Sequence, residues 1–199
     1  KEMIRLASIL LLLTLPACAA LKGGDAPVTM RVSPRFAAGP LQPAPTIAVA
    51  PVQARGLSGG ARYAYVDAAT PGEIRQAATL FWEEPPATML ARALVAGLRT
   101  RFAAVTGPDL SLAADRRIVA TLDRFEEVTG AGTAQAVIAF DVTQVAQGKA
   151  VWTGRYCATQ PITSAAGTAR AAAFQGAIEQ AVATFVEDAV SGRVTTASC

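Results

Sequence analysis

The chain has 199 residues, 18 of them basic and 15 acidic, for a formal charge of +3; 52% are hydrophobic and only 6% aromatic. Acid and base are interspersed, so nucleic-acid binding lacks the clustered positive footprint it needs. Histidine is absent, which excludes Ser-His and Cys-His triads and the commonest metal ligand.

The first predicted element lies in "IRLASILLLLTLPACAALKGG", Ile4 to Gly24. Its apolar run, Leu6 to Leu15, is about half the ~20 residues that a membrane-spanning helix requires. With Arg5 ahead of it and small residues behind, the run reads as a secretory signal over residues 1–17. "LPAC", Leu15 to Cys18, resembles the lipobox of bacterial lipoproteins. That resemblance implies diacylglycerol on the Cys18 sulfur, with Cys18 as the new N-terminus. The alternative is an ordinary signal cut nearby, with Cys18 an incidental thiol. Ala19, in place of the aspartate that marks inner-membrane retention, points by the same resemblance to the periplasmic face of the outer membrane. One acyl chain binds a bilayer marginally, and two or more anchor it stably.

Residues 18–45 are rich in Ala, Gly and Pro and read as an extended tether. The folded body is expected over 46–199. "TIAVAPV" alternates as a strand, and "ARYAYVD" follows a glycine-rich turn. "EIRQAATLFW" reads as a short strand pairing back. In "FWEEPPATMLARALVAGLRTRF", Glu84 and Pro85 each precede a proline, so a helix starts only at Pro86. Leu90, Leu94, Leu98 and Phe102 then form an apolar row. Gly97 inside this helix costs about 1 kcal/mol against alanine, which suggests a close contact with the sheet. "DRRIVATLDRFEEV", "AQAVIAFDVTQV" and "AVWTGRYCATQPI" read as an antiparallel meander. The last element is an Ala-rich helix from about Ala165 to Ser191, with Phe174, Ile178, Val182, Phe185 and Ala189 in its apolar stripe, Glu179, Glu187 and Asp188 elsewhere, and Gly192 at its end. The fold class is α+β: one mostly antiparallel sheet with two helices packed on one face.

Chemistry-bearing constellations are few. No cysteines sit at zinc-ligand spacing, and neither "GPDLSL" nor "SGGAR" has the lysine and hydroxyl of a phosphate loop. Glu83–Glu84 and Glu126–Glu127 are neighbours in sequence whose side chains are expected to point apart. Asp123, Asp141 and Arg155 are expected to face solvent or to pair with one another. No catalytic, cofactor or metal residue is assigned. If Cys18 is lipidated, Cys157 and Cys199 remain in an oxidising compartment where a bridge between them would persist. The alternative is a buried Cys157 thiol and a free Cys199.

Taken together, "TIAVAPV" after a Pro-rich tether, "TPGEIRQAATLFWEEPPATMLARALVAGLRT", "RRIVATLDRFE" and the final helix resemble the ABC-type transport auxiliary lipoproteins, the paraquat-inducible intermembrane transport lipoprotein among them. Trp82 sits where that family places a tryptophan before its first helix. The resemblance implies an outer-membrane lipoprotein that works with an ABC permease and ATPase and a periplasmic mammalian-cell-entry (MCE) domain protein in lipid transport. It implies a non-catalytic docking adaptor, as a ring or other homo-oligomer. A structural outer-membrane lipoprotein that helps another membrane complex assemble is the second reading. Phe81, Trp82, Pro85, Pro86 and Met89 are the candidate partner or lipid contacts, since aromatic and methionine side chains are enriched at interfaces. The competing reading places Trp82 and Met89 in the core.

Overall fold

The computed structural model describes residues 26–110, 113–130, 132–197 and 199. The expected signal over 1–17 and the expected lipid site at Cys18 lie outside the described residues.

Among the described residues nine strands form one sheet. Its backbone is the expected meander: β7 (Arg116–Gly130), β8 (Thr133–Ala146) and β9 (Lys149–Pro161), paired antiparallel along nearly their whole lengths. The β8–β9 turn holds Gln147 at φ 50° and Gly148 at φ 76°, the two positive values that match the twist of a two-residue hairpin. On its other side β7 is met in succession by β2 (Ile47–Val49), β3 (Gln53–Ala54) and β4 (Arg62–Asp67), all parallel to it. Two branches extend from there. β2 pairs with β6 (Val105–Thr106), while β4 pairs with β5 (Ile74–Trp82), which pairs with β1 (Val28–Met30).

The expectation of a mostly antiparallel sheet is therefore corrected to a mixed one, with five parallel pairings and three antiparallel. The physical reason is the helix after β5. Parallel neighbours need a long crossover, and α1 (Pro86–Arg99) lies within the chain that separates β4 from β7 and β2 from β6.

α1 begins at Pro86, with Pro85 extended at φ −55° and ψ 139°. Leu90, Leu94, Leu98 and Phe102 are all buried. α2 (Gly167–Ser191) ends where Gly192 turns left-handed at φ 72°. Both helices bury their apolar faces in a single core with the sheet. Gly97 lies against the other helix and not, as expected, the sheet. A Cβ there would come 2.8 Å from Val182 Cγ1 and 3.2 Å from Val186 Cγ2. Both neighbours are β-branched and stiff at χ1. Gly97→Ala should thus lose stability despite alanine's better helix propensity, by about 1–3 kcal/mol of overpacking less the ~1 kcal/mol of propensity. Thermal denaturation of Gly97→Ala, with and without Val182→Ala, checks this; the second change should restore much of the loss.

The stretch expected as a tether is part of the body from Val28 onward. Met30 and Val32 are buried, and Glu83 N–H donates to Met30 C=O at 2.9 Å. Phe36 packs on the core, Gly39 N–H reaches Thr100 C=O, and Gln42 bridges to Phe102. Beyond β1 its prolines keep ladder pairing to the single bridge at Gln42 but do not oppose apolar packing, so the segment lies as a strap.

Candidate docking surface

β5 delivers Trp82, its last residue, to the inner face of the sheet. The indole meets Tyr63 of β4 at 5.4 Å between ring centroids, Phe125 of β7 at 5.3 Å and Phe174 of α2 at 5.0 Å. Trp82 is 2% exposed and Met89 3%. Pro86 is buried too. These three candidate contacts are corrected to core residues. The reason is strand parity: Trp82 takes the inward position at the point where the chain turns into α1. Phe81 and Pro85 are half-buried, and the Arg62 guanidinium covers Phe81 at 5.6 Å. What the β5–α1 junction offers to solvent is charge. Arg31 Nε and Nη2 each donate to Glu83 at 2.6 Å, and Arg92 pairs with Glu84.

Behind the aromatic block sits a buried carboxylate. Glu127 is 4% exposed. Its Oε2 accepts from Tyr63 Oη at 2.5 Å and from Arg170 Nε at 2.9 Å. The Arg170 guanidinium also lies 5.5 Å from the Tyr63 ring centroid and donates to Ala165 C=O. Burial, reinforced by the Glu127 carboxylate, pushes the Tyr63 hydroxyl far above its ordinary value, so it remains a donor. A cleft of about 510 Å³ adjoins this group, lined by Asp67, Thr129, Thr133, Ile162, Glu127 and Arg170. The trio ties the first turn of α2 to β7 and β4. A local alternation pattern does not show it, because a register shift between Leu122 and Arg124 moves the inward set from Ile118, Ala120 and Leu122 to Phe125 and Glu127 downstream, while Glu126 points the other way and accepts from Arg124 Nε at 2.8 Å. Asp188 was expected to face away from the core, yet it is 3% exposed and accepts from Tyr156 Oη at 3.2 Å.

Asp123, Asp141 and Arg155 form a different cluster, in the outer rows of β7, β8 and β9. Arg155 Nη2 donates to Asp123 at 2.6 Å and Nη1 to Asp141 at 3.0 Å; Arg55 approaches Asp123 at 3.5 Å. The Arg155 hydrogen bond, outweighing burial, holds the Asp123 carboxyl below its ordinary value. Folding therefore gains stability from this group above the carboxylate range and loses it as pH falls through the depressed folded value. The Tm gap between wild type and Asp123→Asn should shrink as pH is lowered from about 6 to about 3. Next to this cluster the structure joins Cys157 to Cys199, with Cα atoms 5.9 Å apart.

Among the described residues, two helices set in one mixed nine-stranded sheet define an α+β domain of known architecture. A Xanthomonas campestris crystal structure of the DUF330 family is similar at 21% identity and TM-score 0.74, over 83% of this chain and 96% of that one. A second, of an uncharacterised protein, gives 15% identity and TM-score 0.62 over 81% and 99%. At these identities the likeness concerns the fold. The family itself is shown by sequence: residues 30–186 match the ABC-type transport auxiliary lipoprotein component, and the chain belongs to that family. The match begins in the strap, at Met30. No curated protein sequence matches the chain.

Proposed function

We propose that the chain is the outer-membrane-anchored lipoprotein of an ABC transporter and MCE-type lipid transport system, and that it acts as a docking adaptor without catalysis of its own. The observation that carries this reading is the family match from residue 30 to 186, which spans the strap, the sheet and both helices. Among the described residues no helix is long and apolar enough to cross a membrane, so membrane attachment is assigned to lipid on Cys18. The packed strap shortens the anchor. About ten residues separate Cys18 from Val28, a reach of at most roughly 35 Å. The adaptor is thereby held close to the leaflet. The charged junction of Arg31, Glu83, Glu84 and Arg92 is the docking face assigned to the β5–α1 region, in place of the aromatic one expected from sequence. The buried Glu127 and Asp188 each already have a hydrogen-bond partner within the fold, which fits a structural part for them.

Photo-crosslinking from Thr88 and Glu83 in intact cells tests the proposal. Capture of an MCE-domain protein supports it. Capture of a β-barrel assembly component instead would favour the structural lipoprotein reading.

A further inference from the structure

Counter-charges are unevenly shared between the two ends of the sheet. Toward the β7–β8 turn, Arg75 pairs with Glu73 and Arg170 with Glu127. At the opposite end four cations stand together: Arg99 of α1, Arg116 and Arg117 of β7, and Lys149 of β9. None of the four forms an ion pair among the described residues. Strand register gathers three of them, since Arg116 pairs with Ala146 on β8 and Ala146 with Lys149. Arg99 joins them through β6, where its Nη2 donates to Val105 C=O at 3.4 Å. The carboxylates in this region are Asp109 and Asp115. Asp115 Oδ2 is already held by Thr46 N–H and Oγ1, both at 2.8 Å.

Two clefts open among these cations. One, of about 390 Å³, sets Arg117 beside Ala48, Pro51 and Val145. The other, of about 400 Å³, sets Arg99 beside Val95 and Ala96. Pro108 and Leu110 line both and so form the wall between them. Leu110 is 57% exposed. Val119, on the same face of β7 as Arg117, is exposed as well. Arginine is enriched at protein interfaces, and here two arginines without carboxylate partners flank one exposed leucine.

The topology sets which way this end looks. β1 is parallel to β5, β5 antiparallel to β4, and β4 parallel to β7, so β1 runs against β7. The chain therefore enters β1 from the side of the β7–β8 turn and travels toward Arg116. Val28 lies there against the start of α2, where a Cβ on Gly167 would come 3.4 Å from Val28 Cγ1. β7 spans 15 residues, about 50 Å at ~3.3 Å each. A leaflet on the entry side meets the basic end only if the tether doubles back along the sheet. That geometry favours a polypeptide over a membrane as the occupant.

We propose that this basic end is a docking face for an acidic polypeptide. Carboxylate side chains of the partner enter the two clefts, one against Arg117 and one against Arg99, and an aliphatic side chain between them meets Leu110. The orientation rests on the adaptor reading above; the charge and the clefts stand on the fold alone. Complementarity between charged surfaces speeds association and weakens as salt is added.

The probe is a fluorescein-labelled peptide of alternating Glu and Leu, titrated by anisotropy into full-length chain carrying Cys18→Ser. Saturable binding that falls with salt is expected, and none with a peptide of alternating Lys and Leu. Arg117→Glu and Arg99→Glu should each weaken it at least about tenfold. Arg35→Glu makes the same change of charge on the strap and should weaken it less than about twofold. If one of the two cleft variants fails to fold, the other carries the comparison. Absence of binding overturns the proposal, as does an equal loss with Arg35→Glu. Binding to phosphatidylglycerol vesicles that Arg117→Glu abolishes and the Glu-Leu peptide does not compete would assign the face to a membrane instead. Crosslinking at Thr88 and Glu83 is read separately. Peptide binding without MCE capture there sinks the adaptor reading and leaves the acidic partner standing; MCE capture without peptide binding does the reverse.

Discussion

Trp82→Ala should cost the protein about 3–5 kcal/mol of folding stability, the range for removing a large buried aromatic. The indole is 2% exposed and meets three rings on three different elements, Tyr63 on β4, Phe125 on β7 and Phe174 on α2. Its loss leaves a cavity where the sheet, the strap and the second helix converge, and neighbours from separate elements cannot all move inward to fill it. Phe81→Ala, one residue earlier and half-buried, should cost much less. Urea unfolding of both variants checks the contrast. A Trp82→Ala midpoint equal to wild type would favour the surface contact over the core, the two readings the sequence leaves open for this side chain.

The second large effect is expected at Arg170. Arg170→Met leaves the Glu127 carboxylate buried with only the Tyr63 hydroxyl as partner. Breaking a buried pair from one side typically costs about 3–5 kcal/mol, whereas replacing both charges with apolar groups is often neutral. The double variant Arg170→Met, Glu127→Met should therefore be more stable than Arg170→Met alone. Arg31→Met, which removes an exposed, solvent-screened pairing with Glu83, should leave the unfolding midpoint close to that of wild type. Chemical denaturation of the four proteins separates the buried trio from the surface clamp. An Arg170→Met loss as small as that of Arg31→Met would show that Glu127 is not isolated from water.

Local features of the fold were legible in the sequence. The Glu-Glu-Pro-Pro run set the start of α1 because proline's constraints act on adjacent residues. The apolar row from Leu90 to Phe102 fixed its buried face. Alternation exposed the three meander strands, and Gly192 marked the end of α2. What escaped was non-local. β1 and β6 have too few residues to show a period, and their partners stand far away in sequence. The parallel pairings follow from where α1 carries the chain, which no window of residues contains. The register shift after Leu122 changed the inward set downstream and hid Glu127. For Trp82 and Met89 the sequence leaves interface and core both open, because aromatic and methionine residues suit either, and only burial separates the two. The parallel bridge of Thr196 to Arg155 on β9 has no sequence signal, because Thr195 to Ala197 carries no apolar pattern.

A lipid-held position beside the membrane underlies the proposed docking role. Mass spectrometry of the tryptic N-terminal peptide from native membranes tests this most directly. The predicted result is a peptide that starts at Cys18, ends at Lys22, and carries diacylglycerol on the sulfur. A peptide that runs uncut through Cys18, or one that begins near it with the thiol unmodified, contradicts the account.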